Sequence, residues 1–191
     1  MVVGLGNPTQ KYTETRHNAG FWFLDRLTER YSITLKESNR FQGVYGSSRM
    51  EGEEVIFLKP LTYMNHSGRS VAAVLRYFKI SPDNLLVAHD ELDFPAGVIR
   101  LKKDGGHGGH NGLRDIVAAL GCGSFYRLRI GIDRPNTKEE VVQYVLNRPS
   151  RSDRDNIEKG FNRVQDIFLR LLQGDFQEVM NSLHSSSSKL S

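Results

Sequence analysis

Residues 85–89, Leu-Leu-Val-Ala-His, form a short, strongly apolar run that passes directly into Asp90, Glu91 and Asp93. An uninterrupted run of this length suits a strand buried on both faces, inside a sheet with helices above and below. Three carboxylates within four residues at its end are costly unless they are paired or exposed. The ends of such strands are also where open α/β sheets put their sites. One segment therefore constrains both the fold class and the place to look for chemistry. For Asp93 an acidic, solvated turn remains an equally good account.

The rest of the chain alternates strand-like and helix-like patterns. Residues 2–6 read as a brief buried strand that breaks at Asn7-Pro8. Ala19, Phe23, Leu27 and Tyr31 recur at helical spacing, which predicts a helix over 19–31. Strands are expected at 43–50 and 54–59, joined through a hairpin turn at Glu51-Gly52-Glu53. Ser67 is a candidate cap for a helix whose apolar stripe is Val71, Val74, Leu75 and Phe78, and Ser81-Pro82 ends it. Strands at 98–103 and 126–132 flank a glycine-rich stretch, 105–109, and a helix over 112–120. Further helices are expected over 137–146, 154–172 and 176–184. In the second of these, Ile157, Phe161, Val164, Phe168 and Leu171 share one face, so it docks on a core. The pattern predicts one α/β domain over 1–184, a mixed sheet sandwiched between helices, followed by a flexible Ser-rich tail at 185–191.

Composition narrows the function classes. Twenty-six Lys and Arg against 22 Asp and Glu leave a net charge of +4, which matters for an acidic partner only if the cations gather on one face. The single cysteine, Cys122, excludes an internal disulfide and a thiolate cluster, and a reducing compartment is the simplest expectation. No apolar run approaches the ~18 residues of a membrane-spanning helix, and the opening residues lack the basic and apolar regions of a signal peptide. A soluble cytoplasmic protein is expected.

Four polar clusters fall where a strand or turn hands over to a helix. The first joins Gly4-Leu5-Gly6-Asn7-Pro8 to Thr15-Arg16-His17-Asn18. Its Gly-x-Gly is not a dinucleotide fingerprint, because Thr9 replaces the third glycine and the next helix starts about ten residues late. His17 is either a bland capping or surface histidine or, with a helix N-terminus disfavouring its cation, a neutral proton acceptor. The second cluster is residues 61–68. Here Ser67 reads as a cap and Met64 as core filling, while Asn65 is either a cap or an amide suited to recognising a peptide bond. The third is residues 87–93, in which one carboxylate could hold a histidine in its working tautomer.

The fourth cluster is Asp104-Gly105-Gly106-His107-Gly108-Gly109-His110-Asn111, whose four glycines bring backbone close to a ligand or a neighbouring segment. His107 and His110, three residues apart, raise a metal site; zinc would want further ligands and Cys122 is the only thiol. Nothing offers a nucleophile: there is no Gly-x-Ser-x-Gly, and Cys122 lies in a Gly-Cys-Gly turn without a nearby base. A hydrolase built from these parts would use water activated by histidine.

In order and spacing, these clusters resemble the bacterial peptidyl-tRNA hydrolase family: residues 3–8, Thr15-Arg16-His17-Asn18-Ala19-Gly20, residues 59–65 with Ser67-Gly68, His89-Asp90-Glu91-Leu92-Asp93, residues 105–113, and Arg127-Leu128-Arg129-Ile130-Gly131-Ile132. The set spans nearly the whole chain. The family commonly has glycine where this chain has Thr9, so the first turn can differ locally. The resemblance implies hydrolysis of the ester joining a peptide to the 3′ ribose of tRNA, without metal or cofactor. It implies His17 as the catalytic base, Asp90 as its orienting carboxylate, and Asn65 and Asn111 as catalytic amides. It assigns Asn7, Tyr12, Tyr63, Met64 and His110 to substrate binding, and Lys102 and Arg129 to the phosphates of tRNA. Peptidyl-tRNA is then the partner, with no membrane, no obligatory protein partner and a monomeric state. For Arg127 the wet side of a sheet is the plainer reading. The competing accounts are a non-catalytic RNA-binding protein on the same fold and a metal-dependent esterase using His107 and His110.

Overall fold

The apolar run forms a strand, Leu86–Glu91, near the middle of a seven-stranded sheet. The computed structural model describes residues 1–185; Ser185 closes the last helix, and the rest of the expected tail lies outside the described residues. The strands are β1 (Val2–Gly4), β2 (Lys36–Ser38), β3 (Gly43–Met50), β4 (Glu53–Pro60), β5 (Leu86–Glu91), β6 (Ile99–Lys103) and β7 (Tyr126–Gly131). Their order is β2-β3-β4-β1-β5-β7-β6. Neighbours among β4, β1, β5 and β7 run parallel, while β2, β3 and β6 pair antiparallel at the two edges. The sheet is mixed, as expected. β1 lies between β4 and β5, so the crevice beyond its C-terminal end is flanked by the ends of both neighbours.

Helices α1 (Ala19–Arg30), α5 (Arg151–Leu172) and α6 (Phe176–Ser185) cover one face of the sheet, and α2 (Ser67–Phe78) and α3 (Asn111–Leu120) cover the other. Each face has its own core. Val2, Phe57, Ala88 and Leu128 meet Phe23, Phe161 and Phe168 on the first; Val3, Leu58 and Val87 meet Val71, Val74 and Ile116 on the second. The stripe predicted from Ile157 to Leu171 is buried along its whole length. No described helix is long and apolar enough to cross a membrane.

Several local expectations change. The edge strand β2 was not anticipated: it is three polar residues, with Lys36 and Glu37 exposed, and shows no apolar alternation to read. Helix α5 starts at Arg151 rather than 154, because Ser150 Oγ accepts the Asp153 N–H at 3.0 Å. Over 137–146 only α4 (Val141–Val145) is α-helical. Ser67 does not cap α2. Its hydroxyl donates to the Met64 carbonyl at 2.9 Å, and the free Gly68 N–H goes to Asp115 Oδ2 of α3 at 2.7 Å. Thr9, in the place of the family's glycine, sits at φ −84°, a conformation any residue adopts.

What carries α1 to the sheet is backbone against backbone. A Cβ at Gly20 would lie 2.3 Å from the Ala88 carbonyl oxygen and 2.5 Å from the Leu5 nitrogen. In return, the Phe21 N–H in the first turn of α1 finds the Leu5 carbonyl at 3.1 Å, so a helix-end donor is satisfied by the strand. This contact sets the start of α1 against the end of β5. Gly20→Ala is expected to lower stability by about 2 kcal/mol or more in chemical denaturation. Gly106→Ala, where a Cβ meets nothing within 4 Å, should change it by less than about 0.5 kcal/mol.

Candidate active site

Asp90, at the end of β5, has a side chain only 3% exposed and accepts from two imidazoles. His17 Nδ1 lies 2.9 Å from both carboxylate oxygens, and His110 Nε2 lies 2.9 Å from Oδ1. The tautomers follow from the other nitrogens. The Leu113 N–H points at His110 Nδ1 (3.3 Å), so this ring presents a lone pair there and carries its proton on Nε2, toward Asp90. His17 gives its Nδ1 proton to Asp90 and keeps Nε2 free. His110 thus both caps α3 and braces the carboxylate.

His17 precedes α1 in a 3-10 turn, Arg16–Asn18. Asn18 fixes that turn: its Oδ1 accepts the Asn7 N–H at 2.9 Å and its Nδ2 donates to the Asn7 carbonyl at 3.0 Å. Asn7 Oδ1 in turn accepts the Met64 N–H at 2.9 Å, which orients the Asn7 amide and leaves Nδ2 as its unused donor. Arg16, itself buried, lies 4.0 Å over the Tyr144 ring and donates to the Arg148 carbonyl at 2.8 Å, so it holds α4 beside His17.

These groups border a cavity of about 910 Å³. Tyr63, Met64 and Asn65 line one side, and His107, Gly108 and Gly109 line another together with His110 and Asn111. Val141, Val142, Val145 and Leu146 supply an apolar wall. Tyr63 and Val142, both lining the cavity, are exposed at 54% and 70%. The expected set His17, Asp90, Asn7, Tyr63, Met64, Asn65, His110 and Asn111 therefore converges on one cleft. Tyr12 stands apart: it is half-buried in the Gln10–Tyr12 turn, where its carbonyl receives the Thr15 N–H and hydroxyl. Lys102 and Arg129 also lie off the cavity, on β6 and β7. Lys102 is exposed, with no carboxylate partner among the described residues. Arg129 is paired with Glu91 at 2.8 Å.

Electrostatics correct one expectation. Burial alone would push the His17 imidazole pKa down, and a helix N-terminus would do the same. The charge and hydrogen bond of Asp90 outweigh the burial, so the pKa lies above the ordinary 6.5. Burial raises the Asp90 pKa, but the two imidazoles hold it well below the carboxylate range. His89, fully buried behind His110 with ring centroids 5.0 Å apart, is pushed down to about 3 by desolvation, with His110 adding to the effect. Its Nδ1–H donates to the Asp90 carbonyl at 2.7 Å and Nε2 has no partner among the described residues.

His17, Asp90 and His110 bring ligand-type atoms within 4.8 Å of one another. The donor set still does not suit a metal ion. With an N–H pointing at Nδ1, His110 could offer Nε2 to a metal only as an imidazolate. His107 Nδ1 is likewise taken, by the Gly109 N–H at 3.1 Å. Sequence reasoning passed over Asn18, Arg16 and Asp115 as parts of the site's support. Only Asn18 carried a signal, an amide next to the candidate histidine.

A family model described as Peptidyl-tRNA hydrolase matches residues 1–191. The curated peptidyl-tRNA hydrolase of Methylococcus capsulatus is 53% identical over 184 residues, 96% of this chain and 98% of the relative. That of Coxiella burnetii is 50% identical over 185 residues, 97% of each. The crystal structure of peptidyl-tRNA hydrolase from Acinetobacter baumannii superposes with a TM-score of 0.92 at 46% identity, covering 95% of this chain and 92% of that one.

His89 stays neutral when folded, while its unfolded counterpart takes up a proton below about 6.5, so this residue's contribution to stability falls as pH drops from 6.5 toward 3. The expected slope is about 1.4 kcal/mol per pH unit for one proton. Denaturation series between pH 6.5 and 4.5 should show it in the wild type and show a shallower decline in His89→Asn.

Proposed function

This chain belongs to the peptidyl-tRNA hydrolase family, and on that premise we propose that it hydrolyses the ester between a peptide and the 3′ ribose of tRNA, releasing both. One observation carries the reading: at the cavity, His17 donates to a buried carboxylate at 2.9 Å and so presents Nε2 as a base. Nε2 takes a proton from water as the water attacks the ester carbonyl. Asp90 holds the ring and stabilises the imidazolium that forms, as the acidic member of a hydrolytic triad does. A positioned base of this kind is worth ~10² to 10⁴ in rate. The Asn65 and Asn111 amides donate to the developing oxyanion, each worth ~10² or more. An ester expels its alkoxide more readily than an amide expels its amine, so no covalent intermediate is needed. Asn7 Nδ2, Tyr63 and Met64 hold the peptide.

Selectivity follows from charge. The acidic side chains lining the cavity are Asp90 and Glu91, and both are committed, to two histidines and to Arg129. Arg114 and Lys138 line it as cations. A free α-ammonium would lose water there and meet no free carboxylate, whereas an N-acylated linkage can hydrogen-bond. A non-catalytic RNA-binding protein would have no use for a buried base and its carboxylate. The protein acts in the cytoplasm as a monomer, where translation supplies the substrate.

N-acetyl-aminoacyl-tRNA should be cleaved at least ~10²-fold faster than the same tRNA with a free amino group, in a discharge assay. His17→Ala should abolish turnover with tRNA binding retained; turnover that survives would mean another group is the base. Lys102 and Arg129 meet acceptor-end phosphates, Arg129 while keeping its bond to Glu91. Replacing either with Ala should weaken tRNA binding and lower the slope of log affinity against log salt by about 1, measured by filter binding. An unchanged slope would return that residue to a solvated face.

A further inference from the structure

We infer that Arg127 is a positioning residue for the hydrolytic site: its guanidinium clamps the root of the glycine loop at 105–109 and thereby holds His110 against Asp90. The inference rests on the reading of His17 and Asp90 given above.

Arg127 is 3% exposed, although its place in β7 suggests a wet face. Its two terminal nitrogens donate to the carbonyls of Gly105 and Gly106, and one also reaches the Gly123 carbonyl at 3.5 Å. The guanidinium lies 4.8 Å over the Phe125 ring. Among the described residues no carboxylate comes within ion-pair distance of it and its Nε has no partner; Asp104 favours its charge from farther away. A buried cation gripped by carbonyl dipoles and a ring face, with Asp104 its favourable charge at a distance, is an expensive arrangement, worth keeping where a planar fork must grip two adjacent backbone groups.

The gripped segment needs it. Gly106, Gly108 and Gly109 have no neighbour within 4 Å of a would-be Cβ, and Gly105, Gly108 and Gly109 all have positive φ. Packing around these glycines therefore does not locate the loop, and the His107 ring is bonded within it, to the Gly109 N–H. It starts at Asp104, beside the lower end of β7, where Lys103 pairs with Tyr126. It ends at His110, which reaches Asp90 at the level of Ile130. The loop thus runs across the sheet face, fastened at one end by the Asp104 N–H on the Phe125 carbonyl (3.1 Å) and, beyond that bond, by Arg127, and at the other end by the His110–Asp90 bond. Lys102, opposite Arg127 in register, lies against the same root, with its Nζ 3.1 Å from where a Gly105 Cβ would be. Loosening the root lets His110 leave Asp90, and a carboxylate with one donor fewer draws the His17 proton more strongly.

The test is the titration of the His17 ring proton by NMR in the whole protein, beside kcat and KM on N-acetyl-aminoacyl-tRNA. Asp90 and His110 touch His17, and His89, His107, Glu91, Arg114 and Lys138 share its cavity, so each variant is compared with the wild type in one buffer. Arg127→Gln should raise the His17 midpoint by about half a unit and lower kcat about tenfold with KM little changed. Arg127→Lys should not rescue it, because a point charge cannot grip two carbonyls. In a His110→Ala background, Arg127→Gln should add no further shift. An unmoved His17 midpoint in Arg127→Gln, or full rescue by lysine, overturns the inference. Because the titration needs no turnover, it stands or falls separately from the catalytic reading, which His17→Ala tests. If the variants do not fold, slow solvent exchange of the Arg127 guanidinium protons in the wild type supports the clamp, and exchange as fast as that of an exposed arginine overturns it.

Discussion

A carboxylate almost wholly removed from water organises this molecule. Leaving Asp90 ionised inside the protein would cost several kcal/mol without compensation. The compensation is two imidazole N–H groups, His17 and His110, delivered by different parts of the chain. Each donor then has to be supported. His17 depends on the Asn18–Asn7 amide pair and on the close approach of Gly20 to Ala88. His110 depends on the start of α3 and on a loop that is glycine at four of its five positions. The surrounding architecture reads as the means of bringing two donors to one anion and keeping a third nitrogen, His17 Nε2, unshared.

Much of this was legible in the sequence. The run at 85–89 announced a central strand because continuous apolarity is what burial on both faces demands. The 3.6-residue spacing from Ile157 to Leu171 announced α5, because a long helix on a core leaves a strong periodic trace. The convergence of His17 and Asp90 was legible only through the family resemblance; their 73-residue separation carries no local signal.

What was not legible shares a cause. β2 is polar on an edge, so nothing in its composition separates it from a loop. Ser67 looked like a cap, but a carboxylate from another helix took that role, and local rules do not see donors that arrive from a distance. His17 was expected to be held neutral by its helix, yet a buried anion at hydrogen-bond distance raises its pKa, and that anion comes from a strand 73 residues away. Arg127 alternates as an outward residue should; its burial comes from a loop laid over it, which alternation cannot report.

The Asp115–Gly68 bond links these observations to motion. α2 borrows its cap from α3, so its beginning is complete only while the two helices are packed together. Melting the first turn of one strands a polar group on the other. The stretches that present Asn65 and Asn111 should therefore open and close as a single cooperative unit rather than fray independently, so that the cleft is either whole or absent.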